Sequence, residues 1–574
     1  MFLNFSVPSL YSQTRPNIIF IMADDFGWGD LGSYGQQNIQ TPELDQIAAE
    51  GMKFTQFYAG APLCSPTRGS IMTGKHTGHA SIRQNKISKL REGEETLGTA
   101  LKTGGYTTGF IGKWGVGWDL DANDPNIYGF DHFYGYVNQS HAHNYYPSFL
   151  YRNGQKEFLQ NEVSNEGTGA EEGTGYATVR LEYAPDLFTE DALEFIDSYA
   201  DDPFFLFLSY TNPHVNNEAT TEKALEIPDL GIYEDKADWN HAMKAYAAMI
   251  TKMDTDIGKI MDKLKALNID ENTIVFFTGD NGPHNKGGYS PEMHNSTGGL
   301  RDNKFSMYEG GIREPLIARW PNHIAAGSTT DHVSAFWDVM STMADLGGGL
   351  NTPDDIDGIS FLPVLLGEEN QKEHEVLYWE RHIPGSTIQQ GIRFGKWKGV
   401  RSIAWSRRND SNYWPEMELF DLDVDPYESE DLSGINEEVV IQLEEFMARE
   451  SEPDPTGNLE DVPDFVTQVE EVLLVEDCYA CSGQVLKSYP NPAQNTMSIT
   501  IDLDHPGTVT LNILDMKGRL VTRLIEDQYL TGSLTLSLDG NKGRSVFSSG
   551  LYLCELMIND HQGKQRVIEK IIIQ

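Results

Sequence analysis

Pro62 to His79, PLCSPTRGSIMTGKHTGH, is the segment whose residue types come closest to chemistry. Ser65 reads as the cap of a helix whose first position is Pro66, which puts Cys64 at the positive end of the helix dipole beside Arg68. Such a place favours an anion, although a cysteine near a helix start also serves structure or simple reactivity. Two further points draw the eye: Asp24-Asp25 follows the apolar run NIIFIM, and Asp280-Asn281 follows TIVFFT. A hard cation such as calcium takes several oxygen ligands, and Asp24, Asp25, Asp280 and Asn281 supply them from two strand ends. Taken singly, each pair also reads as a solvated turn.

These groups need a scaffold. Asn17 to Met22, Phe204 to Ser209 and Thr273 to Thr278 are short apolar runs of the kind that form buried parallel strands. Helical patterns lie between them at Thr41 to Gly51, Thr96 to Thr103, Leu187 to Ala200 and from about Trp239 to Leu267. Strands alternating with helices predict an α/β fold with a mostly parallel central sheet, whose ligands bind beyond the carboxyl ends of the strands. From about Glu375 the texture shifts to VLYWE, GIRFGKWKGV and MELFDLD with a helix near Glu437 to Arg449, a small C-terminal α+β subdomain.

We therefore expect a catalytic α/β domain over 14–370, a subdomain over 371–450, an acidic Pro-bearing linker over 451–484 and an appended β-sandwich over 485–574. Residues 1–13 read as a truncated signal segment lacking a basic start, or else as a disordered terminus. No run approaches the ~20 apolar residues of a transmembrane helix. With 43 Lys+Arg against 86 Asp+Glu the net charge is −43, which argues against a nucleic-acid partner and demands a locally basic pocket for any anionic substrate. Four cysteines are too few for a disulfide framework, and Cys478-x-x-Cys481 reads as a local disulfide or as having no role.

C-S-P-T-R followed by G-S-I-M-T-G-K-H resembles the signature of type I sulfatases, in which the cysteine is oxidised to formylglycine. The resemblance continues through Asn17 to Asp30, Gly112 to Gly115, Thr278 to Gly282 and Tyr308 to Pro315, and so spans roughly residues 15 to 450. It implies an alkaline-phosphatase-like fold, one calcium ion on Asp24, Asp25, Asp280, Asn281 and modified Cys64, and a formylglycine-generating or anaerobic maturation enzyme as partner. It further implies that Arg68 holds the hydrated aldehyde, that Lys113 and Lys304 bind sulfate oxygens, that His214 protonates the leaving alcohol, and that His76 stands beside the hydrate.

One departure is Gly115, where sulfatases often have histidine after K-W. A subset of bacterial carbohydrate sulfatases shares K-W-G together with H-N-Y-Y-P, and there His143 would take over a sulfate contact; a structural histidine is the competing account. The same subset acts on sulfated galactose or N-acetylgalactosamine units of algal galactans and glycosaminoglycans, so the substrate implied is a sulfated oligo- or polysaccharide. His284, His294 and Arg407, the last within Trp405 to Trp414, are the further candidates to meet a sugar. Ser488 to Pro492 with Asp515 to Arg519 and Ser548 to Leu553 resembles a type IX secretion sorting domain of Bacteroidota, which implies export to the cell surface or medium by that machinery. Two rivals stand beside this: a phosphatase or phosphodiesterase of the same superfamily, and a non-catalytic binder of sulfated glycan.

Overall fold

Asn17–Ala23 is buried along its whole length because it has parallel neighbours on both sides, Thr273–Gly279 and Phe204–Ser209. Thr107–Lys113 and then His132–Tyr136 extend the parallel set. Antiparallel strands flank it, Arg313–Arg319 and Met52–Tyr58 on one side, Phe149–Arg152 and Gln155–Phe158 on the other, in a sheet of eleven strands. The computed structural model describes residues 15–452 except 86–88, 118–119, 165–172, 384–385 and 405–414, and beyond them the strands between 486 and 573.

Successive side chains of a strand point to opposite faces, and both faces here are covered. Ile19, Ile21 and Ala23 pack under Pro42–Glu50, Ala184–Tyr199 and His241–Ala266. Ile18, Phe20 and Met22 pack under Cys64–Thr73, Leu97–Thr103 and Asp338–Leu346. The helices begin where their caps allow. Asn240 accepts the Met243 N–H at the start of His241–Ala266, and Thr96 with Thr99 forms a reciprocal capping box before Leu97.

A separate antiparallel sheet, Leu377–Ile383, Thr387–Phe394, Trp397–Ala404 and Met417–Asp421, carries the helix Glu437–Glu450. Leu443 and Met447 of that helix bury against Tyr378, Ile392 and Leu419. The sheet is fastened to the large one by Trp379 Nε1 donating to the Ala59 carbonyl at 2.8 Å and by the fully buried Lys398–Glu309 pair at 2.9 Å.

The chain divides into two compact units, Met1–Asp461 and Val462–Gln574. Among the described residues the second contains two antiparallel sheets, one of three strands and one of four. Val509, Leu511 and Ile513 alternate as buried residues opposite Leu556 and Ile558. Arg407, Cys478 and Cys481 lie outside the described residues. Among the described residues no helix is long and apolar enough to cross a membrane.

Phe207 sits in the core between Phe20 and Phe110, ring centroids 5.2 and 4.9 Å away. Phe207→Ala is expected to cost about 3–5 kcal/mol through lost transfer energy and an uncollapsed cavity. Urea unfolding followed by fluorescence should show the midpoint falling; an unchanged midpoint would mean this sheet face is not the core.

Candidate active site

The parallel register Ala23↔Gly279 carries the chain out of two adjacent strands at the same level, so Asp24-Asp25 and Asp280-Asn281 emerge side by side. Backbone bonds then lock them: Asp280 N–H donates to the Ala23 carbonyl at 2.9 Å, and Asp25 N–H donates to Asp280 Oδ1 at 3.0 Å. Asp25 takes φ 61°, a left-handed turn that aspartate tolerates better than bulkier residues. Asn281 Nδ2 donates to Asp25 Oδ1 at 2.8 Å. All four are fully buried.

Cys64 meets this group from the other layer. Its Sγ lies 3.3 Å from Asp24 Oδ1, 3.9 Å from Asp25 Oδ1 and 3.4 Å from Lys304 Nζ. The helix begins earlier than expected: Cys64 is its first residue, Leu63 stands at the cap position, and Ser65 caps nothing. The Ser65 N–H is satisfied instead by Asn85 Oδ1 at 3.1 Å, a side chain from twenty residues on that sequence spacing does not announce. Cys64 still stands at the positive end of the helix dipole.

Three cations answer the three carboxylates. Lys113 Nζ rests on Asp24 at 2.6 Å and Lys304 Nζ on Asp25 at 2.6 Å. Arg68 pairs with Asp280 at 2.9 Å, while its Nη1 donates to Ser209 Oγ and the Lys113 carbonyl, each at 2.6 Å. Burial opposes ionisation of Asp24, yet the Lys113 and Arg68 charges hold its carboxyl far below the usual range. Burial and then the Asp24 charge push Asp280 upward, with Arg68 opposing. Burial, with Asp24 next, raises the Cys64 thiol to about 12, so as an unmodified residue it stays a thiol and is a poor nucleophile.

His214 reaches Asp25 Oδ2 with Nε2 at 3.5 Å. Burial, then Lys304 and Lys113, hold its pKa well below the ordinary value. His143 stacks on it, centroids 4.9 Å apart and ring planes nearly parallel, with Nδ1 on Glu218 at 3.0 Å. Gly115 has φ 65°, and a Cβ there would come within 2.9 Å of both Arg68 Cδ and Gln139 Oε1. The space a histidine would need is therefore already filled.

Three expected residues are turned to other tasks. His76 lies past the far end of the Cys64–Thr73 helix, ten residues that rise ~15 Å. There its Nε2 pairs with Glu450 at 3.2 Å and its ring lies against His79, so the expected place beside residue 64 is corrected. His284 spends both nitrogens locally, on the Pro213 carbonyl at 3.2 Å and the Lys286 N–H at 3.3 Å. His294 Nε2 binds the Met243 carbonyl at 3.0 Å and its ring packs on Trp239. The sequence reading also missed Ser209, Glu218 and Gln139; Ser209 alone had a signal, as the last residue of an apolar strand.

A cation fits the site by two tests. Its donors are hard oxygens; Asn281 Oδ1 is a buried acceptor with no hydrogen-bond donor, and Asp25 Oδ2 has only the 3.5 Å contact with His214, too long for a good hydrogen bond. Asp24, Asp25, Cys64 and His214 each present a ligand-type atom, all within 4.8 Å of one another.

Residues 16–349 match the sulfatase family, 298–452 match the C-terminal region of N-sulphoglucosamine sulphohydrolase, and 487–574 match a secretion system C-terminal sorting domain. That last match makes this a secreted or cell-surface protein. N-acetylgalactosamine-6-sulfatase of Homo sapiens is 30% identical over 458 residues, 73% of this chain and 81% of that protein. Steryl-sulfatase of Rattus norvegicus is 28% identical, covering 72% and 78%. The crystal structure of Ps i-CgsB with k-i-k-neocarrahexaose is 25% identical with a TM-score of 0.62, covering 77% of this chain and 94% of that one. Carboxylates, cysteine and cations meeting at the sheet's carboxyl edge, in a chain matched over this length, make it a sulfuric ester hydrolase that belongs to the sulfatase family.

Proposed function

We propose that the protein hydrolyses a sulfate ester on a carbohydrate of galactose or N-acetylgalactosamine type, using formylglycine made from Cys64. The observation that carries this reading is the meeting of Cys64 Sγ with Asp24, Asp25 and Lys304 within 3.9 Å. The sugar class is inferred from the names of relatives: one acts on N-acetylgalactosamine 6-sulfate and one structure holds a carrageenan oligosaccharide. Maturation would fall to a formylglycine-generating or anaerobic enzyme, and export to type IX machinery acting on 485–574 after the linker 451–484.

Oxidised to the aldehyde and hydrated by one water, residue 64 would supply a geminal diol, one hydroxyl of which takes the sulfuryl group from the ester oxygen while the other, on losing its proton, re-forms the aldehyde and expels sulfate. Asp24, Asp25, Asp280 and Asn281 would hold one calcium ion, which when bound polarises sulfate oxygens. Arg68 is fixed by Ser209, Lys113 and Asp280 and so presents an oriented guanidinium to residue 64. Lys113 and Lys304 place two ammonium groups where sulfate charge builds up, which is worth more in this buried setting than in water. His214 is the proton donor to the leaving oxygen. Burial, then Lys304 and Lys113, favour its neutral form, and an anionic substrate beside the two lysines would offset part of that effect. His143, braced by Glu218 and stacked on His214, is the sulfate contact that replaces a histidine at 115.

A two-zinc phosphatase reading is disfavoured by one observation. Among the described residues the second group of metal-type side chains, His76, His79 and Asp357, lies beyond the far end of the helix from Cys64.

Cys64→Ala is expected to lower kcat/KM by roughly 10³-fold or more, because a methyl side chain gives neither the aldehyde nor its diol. Sulfate release measured beside circular dichroism checks this; normal turnover by a folded variant refutes the nucleophile. Chelation with EGTA should lower both turnover and the thermal midpoint, and calcium should restore both, since an ion bound only by the native state stabilises it. A midpoint indifferent to EGTA and calcium would contradict the cation site.

A further inference from the structure

Gln139 is only 5% exposed, and no step of the reaction just described uses it. Its place follows from the sheet. Lys113 and Tyr136 are register partners at the ends of two parallel strands, and the Trp114 N–H donates to the Tyr136 carbonyl at 2.8 Å. The two chains therefore leave the carboxyl edge level with each other, one through Gly115 and the other through Gln139, at the edge where ligands of such sheets bind. The Gln139 amide takes the room that Gly115 leaves. Its Oε1 is 2.9 Å from where a Cβ on residue 115 would stand, and Arg68 Cδ and Nε flank the same point at 2.9 and 3.4 Å.

This amide is poorly answered. Among the described residues its one polar contact is Ser65 Oγ, 3.5 Å from Oε1 and too far for a good hydrogen bond. Its Nε2 is left without an acceptor, and Arg68 Nε, flanking the same point, is a buried donor with no partner either. Buried polar side chains are ordinarily paired, so two idle N–H donors beside the nucleophile helix mark a place for an acceptor. Ser65 adjoins Cys64, and Arg68 sends its guanidinium to Asp280, so that place borders residue 64. The turn His141–His143, which follows Gln139, carries His143 to another side of the site, against His214. The acceptor that the reaction brings there is a sulfate oxygen, and an N–H bound to an anion is roughly twice as strong as one between neutral groups.

We propose that Gln139 is a further sulfate-binding residue, its Nε2 donating to a sulfuryl oxygen over residue 64 from the Arg68 side while His143 does so from the His214 side. This deepens the sulfate ester reading above and rests on it, but not on which sugar carries the ester. An amide fills the gap left by Gly115 with a donor that has no charge and does not titrate. It therefore adds no repulsion to Arg68, Lys113 and Lys304, as a protonated histidine at that point would.

The test uses the full protein with calcium and takes the dissociation constant of inorganic sulfate by calorimetry for the wild type, Gln139→Glu and Gln139→Leu. Glutamate has the same shape and keeps an acceptor toward Ser65, but it replaces the donor with a carboxylate oxygen. Leucine keeps the bulk and removes the amide. Both should weaken sulfate binding by about tenfold or more, the size expected of a hydrogen bond to a charged group. Both should also raise KM for p-nitrophenyl sulfate, while the thermal midpoint without sulfate holds. The proposal fails if either variant binds sulfate as the wild type does, since loss in glutamate alone would be simple repulsion and loss in leucine alone would be the Ser65 contact. It also fails if affinity falls only together with the sulfate-free midpoint, since Gln139 would then pack the site rather than bind in it. Turnover of p-nitrophenyl sulfate by the wild type reports on the sulfatase reading separately.

Discussion

Three buried carboxylates crowded against one cysteine are what the rest of the molecule must accommodate. Two unit charges 4 Å apart interact by about 4 kcal/mol at an effective dielectric near 20. Asp24, Asp25 and Asp280 would therefore drive one another toward neutrality if nothing answered them. Arg68, Lys113 and Lys304 do answer them, each from a different segment: the nucleophile helix, the end of a parallel strand, and the loop before Arg313–Arg319. The parallel sheet is what lets these segments end at one level. Its twin coats of helices are what keep water from weakening the charges.

A second constraint comes from net charge. At −43 the surface repels sulfated polymers at a distance, so attraction has to be local. The cations are concentrated accordingly, on the carboxylates. The antiparallel subdomain is locked down by charges that see no solvent, Lys398 with Glu309 and Arg83 with Glu380 at 3.1 Å. Breaking one member of such a pair strands its partner without water, which is why these joints behave as rigid ones.

Much of this architecture was readable in the chain because its signals are local. NIIFIM, FFLFLS and TIVFFT are unbroken apolar runs, and each became a central strand with almost the expected ends. Thr107–Lys113, TTGFIGK, was not read as a strand although it delivers Lys113, because two threonines, two glycines and a lysine dilute its apolar content. It is held as a strand by its neighbours on both sides. Long-range hydrogen bonding was equally invisible: Asn85, not Ser65, serves the first turn of the nucleophile helix. His76 was misplaced because motif proximity ignores the length of the helix that separates it from Cys64. Gly115, a departure when set against a pattern, has a physical reason once Arg68 and Gln139 are seen beside it.

The most direct test of the account is the mass of the peptide that spans residue 64, taken from protein purified out of its own host and shown to release sulfate. The account predicts an aldehyde or its hydrate at that position. A free thiol there in sulfate-releasing protein would contradict it.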